Sequence, residues 1–113
     1  MTNPAGQPGP LTSRHLAQFE AWLPEADPGH WFIQLMARDA RHGAEVEAFL
    51  DRATASLDPA ALLVYRSTLS GNDRLGVIYG DYPNRSAAWA ALAALPPEIR
   101  LLRPYPRQVS KLQ

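Results

Sequence analysis

Prolines and glycines cut this chain into short pieces, and the pieces alternate in kind. Pro24, the Asp27-Pro28-Gly29 cluster, Asp58-Pro59, Pro83 and Pro96-Pro97 each mark an element end, because proline fixes φ and brings no N–H. Between these breaks the hydrophobic period switches from helical to strand-like and back. Leu16, Phe19, Trp22 and Leu23 make one stripe, predicting a helix from Thr12, capped by Thr12 or Ser13 and stopped at Pro24. Residues 30–37 (HWFIQLMA) read as a strand. Residues 44–57 carry a helical stripe of Val46, Phe49, Leu50, Ala53 and Leu57. Residues 62–69 (LLVYRSTL) and 75–80 (LGVIYG) read as a hairpin around a connection at 70–74. Residues 85–95 predict an alanine-rich helix, capped by Asn84, with Ala88, Ala91, Leu92 and Leu95 inward. A short last strand is expected at Ile99–Leu102, then a proline-stiffened tail with a helical turn at Gln108–Leu112.

The resulting order is an N-terminal helix followed by β-α-β-β-α-β. That is an α+β fold, a ferredoxin-like (RNP-like) plait with a four-stranded antiparallel sheet and two helices on one face. The other face is expected to stay free. Residues 1–11, rich in Pro and Gly, read as a flexible linker, residues 12–28 as the N-terminal helix and its turn, and residues 29–113 as the domain.

Strand parity then nominates a binding face. Side chains alternate along a strand, so Trp31, Ile33, Leu35 and Ala37 form a core face and Phe32, Gln34 and Met36 point the other way. Arg74, Gly76 and Ile78 join them from the third strand. The second strand offers either Val64, Arg66 and Thr68 or Leu63, Tyr65, Ser67 and Leu69. Arg66 and Thr68 are expected on the free face, since a charge under helices is costly. The candidate site is therefore Phe32, Gln34, Met36, Arg66, Thr68, Arg74, Gly76 and Ile78. An amide that donates and accepts, guanidinium groups and an apolar floor suit a carbohydrate with hydroxyls, acetamido groups and carboxylates. Gln34 either meets such a ligand or hydrogen-bonds a loop or neighbouring tail. In the first case Gln34→Ala weakens binding with little change in melting temperature. Trp89, off its helix's inward stripe, is expected to pack with Tyr105.

Composition narrows the function classes. The 113 residues fit one domain, and 11 Lys/Arg balance 11 Asp/Glu, which gives no drive toward nucleic acid or an anionic membrane. With no cysteine, disulfides, thiol nucleophiles and Cys-based zinc sites are excluded. His15, His30 and His42 lack metal-ligand spacing, and no serine sits in a nucleophile elbow. No catalytic residue, metal or cofactor is expected. No run is long enough to span a membrane, and residues 1–10 do not read as a signal peptide. An exported version would take its signal from a larger protein.

Three stretches carry a family resemblance: "HWFIQLMA", "GVIYGDYPNRSAAWAALAALP" and "RPYPRQV". The aromatic-apolar-Gln-Leu opening is Trp31 to Leu35, Gly80-Asp81-Tyr82 ends the third strand, and an Ala-rich helix runs from Ala88 to Pro96. Over roughly Gly29 to Gln113 the chain resembles the SPOR domain family, in particular the C-terminal domains of DamX-type division proteins. The resemblance implies a non-catalytic module that binds peptidoglycan, prefers glycan strands stripped of stem peptides, and targets a host protein to the division septum. It implies a periplasmic, monomeric domain of a larger protein, with Gln34 matching the family glutamine on the open face. Related domains often have Trp-Tyr where this chain has Arg74-Leu75, and Pro-Trp where it has Pro104-Tyr105. Charge recognition by Arg66 and Arg74 is expected to replace part of the lost ring stacking. The competing readings are a degenerate SPOR domain that binds a protein, and an RNA-binding module of similar topology, whose signature the third strand lacks.

Overall fold

A computed structural model describes residues 9–69 and 71–113. In chain order its main elements are α1 (Pro10–Trp22), β1 (Trp31–Asp39), α2 (Gly43–Ala53), β2 (Leu62–Leu69), β3 (Asn72–Tyr82), α3 (Arg85–Ala93), α4 (Pro97–Arg100) and β4 (Tyr105–Gln108). The strands form one antiparallel sheet in the order β2-β3-β1-β4. This is the expected α+β plait with an added N-terminal helix. Ile33, Leu35, Val64, Leu75 and Val77 from the strands meet Val46, Phe49, Leu50 and Ala53 of α2 and Leu95 just after α3 in one buried cluster. Asn84 caps α3 as expected, its Oδ1 accepting from the Ala87 N–H at 2.8 Å.

The start of α1 departs from expectation. Gly9, not Thr12 or Ser13, is the N-cap, and Pro10 opens the helix. Of the expected linker, residues 1–8 lie outside the described residues, while Pro10 and Leu11 are already helical. The free N–H groups of the first turn find their acceptor on another element. Glu47 of α2 accepts from Leu11 N at 3.0 Å, Thr12 N at 2.9 Å and Thr12 Oγ1 at 2.9 Å. A carboxylate is the favoured partner at a helix N-terminus. Burial pushes the Glu47 carboxyl up, but the bonds from Thr12 and Leu11 outweigh it and leave its pKa below the ordinary glutamate value.

The last strand also falls elsewhere. Ile99–Leu102 lies in α4 and the turn after it, where Arg103 takes a left-handed φ of 57°. The chain then returns as β4, which pairs Tyr105–Gln108 with Trp31–Gln34. β4 is an edge strand, the position at which a sheet tolerates Pro106. The expected helical turn at the C-terminus is present as a 3-10 turn, Val109–Leu112.

The largest correction concerns the face expected to be free. Its lower half is closed. Phe32, Leu63 and Ile78 are buried with Ala26 and Val109, and Phe19, Trp22, Leu23 and Leu112 pack over them. Covering three large apolar side chains is worth roughly 1.5–3 kcal/mol each, which gives α1 its reason to dock there. Polar bonds fix the docking. His15 Nδ1 lies 2.6 Å from Leu62 O, Trp22 Nε1 donates to Asp81 Oδ2 at 3.0 Å, and Val109 N donates to His30 O at 2.9 Å.

Candidate functional site

The sheet register shows what the uncovered half presents. Residues directly opposite in an antiparallel pair point to the same face. Gln34 is opposite Ile78 and Tyr105, Tyr65 is opposite Gly76, and Ser67 is opposite Arg74. Phe32 is opposite Arg107. The second face therefore carries Tyr65 and Ser67 from β2, Arg74 and Gly76 from β3, and Tyr105 and Arg107 from β4.

Gln34 sits at the boundary between the covered and uncovered halves and is only 3% exposed. Both polar atoms of its amide are bonded within the protein. Nε2 donates to Met36 O at 2.9 Å, and Oε1 accepts from Arg107 Nη1 at 2.8 Å and from Tyr65 Oη at 3.2 Å. Arg107 Nη1 also donates to Tyr65 Oη at 3.3 Å, and its guanidinium lies 5.7 Å from the centre of the Phe32 ring. Of the two roles open to Gln34 in the sequence, the bond to a neighbouring tail is the one found. It does not present its amide to solvent; it sets the positions of Tyr65 and Arg107, which do reach the surface.

Tyr65 lies flat across Gly76, where a Cβ would collide with its ring. Glycine at that position is a close-approach requirement. Gly80 serves β3 differently. Its φ is +80°, and the register slips between Trp31/Tyr82 and Ile33/Tyr79, so an extra residue bulges opposite Phe32. The bulge brings Asp81 to Trp22 and His30, the latter with Nδ1 at 2.7 Å from Asp81 Oδ1.

Besides the buried Gln34, five of the eight expected site residues lie elsewhere or are covered. Phe32 and Ile78 are on the expected face but wholly buried beneath α1 and the C-terminal turn. Met36 is on the opposite face, packed against the helix-side cluster. A second register shift, between Gln34 and Met36, puts Leu35 and Met36 together opposite Val77 and reverses the parity that follows. Thr68 shares its parity with Val64, which belongs to the helix-side core, and bonds Asp73 Oδ1 at 2.9 Å across the hairpin. Arg66 has the same parity. Both are exposed without breaking the rule against buried charge, because that end of β2 runs beyond the helices. Arg74 and Gly76 are on the expected face, Arg74 exposed and Gly76 roofed by Tyr65. Trp89 and Tyr105 are 46% and 51% exposed, not packed away together as expected.

What remains is a cleft of about 230 Å³ lined by Phe19, Tyr65, Arg66, Ser67, Arg107 and Lys111, among others. Tyr105 stands exposed beside it, paired with Gln34. Phe19 of α1 forms one wall, its ring 6.0 Å from that of Tyr65. The arrangement offers aromatic faces and three cationic side chains. Such a surface can stack on apolar ring faces and pair with carboxylates at once. Sequence reasoning set Tyr65 aside with the alternative outward set of the second strand, took Tyr105 as a packing partner of Trp89, and passed over Arg107 and Lys111. The signal for Tyr65 was its place opposite Gly76, and that for Tyr105 and Arg107 was their i, i+2 spacing.

A family model described as SPOR domain matches residues 27–108, well over half of the chain. No curated protein gives a significant match. Tyr65, Arg74, Tyr105 and Arg107 fall inside the matched stretch, whereas all of α1 and the C-terminal turn fall outside it.

Proposed function

The chain belongs to the SPOR domain family, a family of peptidoglycan-binding modules, and on that premise we propose that it binds glycan strands stripped of stem peptides, on the uncovered half of its second sheet face. Tyr65 and Tyr105 stack on sugar CH faces. Arg107 and Arg74 pair with the lactyl carboxylates that loss of the peptides exposes, and Lys111 adds a further positive charge. Gln34 acts as a positioning residue. The observation that carries this reading is the Gln34–Tyr65–Arg107 network, which fixes an aromatic ring and a guanidinium at the edge of an open cleft.

The role is binding without catalysis, and it delivers a larger host protein of the cell envelope to the division septum. The DamX-like motifs favour a division protein as that host. A periplasmic location follows from the ligand. Among the described residues no helix is long and apolar enough to cross a membrane, and we propose that the module works as a monomer without inserting into the bilayer. Cosedimentation with intact sacculi, before and after amidase treatment, tests the reading. More protein should pellet after amidase strips the peptides. Equal or no pelleting with both preparations overturns it, and an RNA shift in place of pelleting would favour the nucleic-acid alternative.

A further inference from the structure

On the helix side of the sheet, away from the cleft at Tyr65, a groove of about 350 Å³ opens between α2 and the turn that follows α4. Met36 and Phe49 give it an apolar floor and Leu102 its far wall, while the exposed Arg38, Glu45 and Arg52 stand along its rim. The turn holds its apolar side chains out in water. Leu101 is 81% exposed and Leu102 36%, apolar surface that a partner would remove from solvent. Charge around the groove is unbalanced as well. Arg38 pairs with Glu45 at 3.6 Å, a solvent-exposed contact of little strength. Arg52, Arg100 and Arg103 have no ion-pair partner among the described residues. In a chain whose 11 cationic and 11 acidic residues cancel, these arginines are a local surplus over Glu45 and Glu98.

We propose that this groove docks an acidic segment of another protein, one in which a single large apolar side chain is set among carboxylates. The volume lies at the low end of the roughly 300–1,000 Å³ usual for ligand sites, room for one anchor side chain against Met36 and Phe49. Glu45 stays with Arg38, which leaves Arg52, Arg100 and Arg103 for the partner's carboxylates. Guanidinium groups suit that task, since they hold a carboxylate through two parallel bonds. An anionic membrane matches the charge but not the shape: a flat interface receives the protruding Leu101 and leaves the floor of the groove empty. The proposal does not depend on the glycan reading. A segment seated here leaves Tyr65 and Tyr105, on the other face, uncovered.

NMR titration of the isotopically labelled full chain, read at the backbone N–H groups of Ala48, Phe49 and Leu102, tests this. The probe is a short peptide of glutamates around one phenylalanine, compared with versions carrying serine for the phenylalanine or lysines for the glutamates. The first peptide should shift these signals saturably, and less so as salt is raised. The serine version should bind at least about tenfold more weakly, the scale of one lost buried aromatic side chain, and the lysine version should not saturate. Arg52→Glu, at an exposed position where folding is not at stake, should weaken the first peptide about fivefold. Leu102→Asp should weaken it further by placing a carboxylate in the groove. Both variants should pellet with sacculi as the parent chain does. No shift at these three signals, or an equal response to all three peptides, overturns the proposal. So does a shift produced by phosphatidylglycerol vesicles and not by the peptide, which would make the surface a membrane contact.

Discussion

The two faces of the sheet are closed by different means. On the helix face, Ile33, Leu35, Val64 and Val77 meet α2 and the end of α3 in one apolar cluster. All of these elements lie within residues 27–108, the stretch that defines the family. On the second face, closure is partial and comes from α1 and the C-terminal turn, both outside that stretch. It stops at Gln34, and polar side chains mark the line where it stops. The family-matched stretch thus seals one face by itself, while on the other face segments outside that stretch decide how much of it stays open.

Paired truncations across β1 strain this comparison hardest. Phe32 and Ile33 are adjacent, each 0% exposed, and on opposite faces. Ile33→Ala should cost about 2–5 kcal/mol and Phe32→Ala about 3–5 kcal/mol, read as shifts in the denaturant midpoint. If the second face were open throughout, Phe32→Ala would stay within about 0.5 kcal/mol, as exposed substitutions do. A near-zero result there would remove α1 from the sheet.

Gln34→Ala comes next and probes the boundary. On an open face it would alter binding alone. Here it strips the shared acceptor from Tyr65 and Arg107, so it should cost about 1–3 kcal/mol as well as weakening sacculus binding. An unchanged melting temperature would show that the network does not hold those two side chains.

A smaller effect, about 1 kcal/mol by analogy with a lost helix cap, is expected for Glu47→Gln, and its pH dependence sharpens the account of how α1 is held. The folded pKa of Glu47 lies below the ordinary 4.5. The ionised form is thus favoured by folding. Its contribution is complete above 4.5 and fades as pH falls from there through the lower folded value. The gap between Glu47→Gln and the parent chain should therefore be largest near neutrality and close in acid. A gap independent of pH would mean that charge plays no part in fastening α1.

Periodicity made the helix face legible and the second face only partly so. The α2 stripe, the Asn84 cap and the β2–β3 hairpin follow from local rules that the structure respects. Three things do not. Bulges are invisible to alternation, so Met36 was placed on the wrong side. The argument against a buried charge gave Arg66 the wrong parity because it took the helices to cover all of β2, although its exposed side chain still lines the cleft. The stripe of Leu16, Phe19, Trp22 and Leu23 announced that α1 docks, but a stripe does not name its partner surface. Pro104 and Pro106 masked β4 for a similar reason, since proline argues against a strand unless that strand is known to lie at an edge. Gln34 shows the same limit at a single residue. Its parity with Phe32 was right, and its burial came from a helix and a tail whose docking the local pattern could not specify.

Tyr105→Ala should have the smallest effect on folding and the most selective effect on binding. Its side chain is 51% exposed, and its backbone pairing with Gln34 does not depend on the ring. Stability should change by no more than about 0.5 kcal/mol. Loss of one stacking platform should nevertheless weaken binding to amidase-treated sacculi by about fivefold or more, taking about 1 kcal/mol for a ring stacked on an apolar face. Tyr105→Trp should recover or exceed the original affinity, since a larger ring covers more of a sugar. Trp89→Ala supplies the contrast. That residue is exposed to a similar degree, 46%, but belongs to a helix on the sealed side. If both alanine substitutions weaken binding equally, contact extends around the β4 edge and the division between a structural and a functional face fails. If only Tyr105→Ala does, an exposed aromatic matters according to the face it stands on.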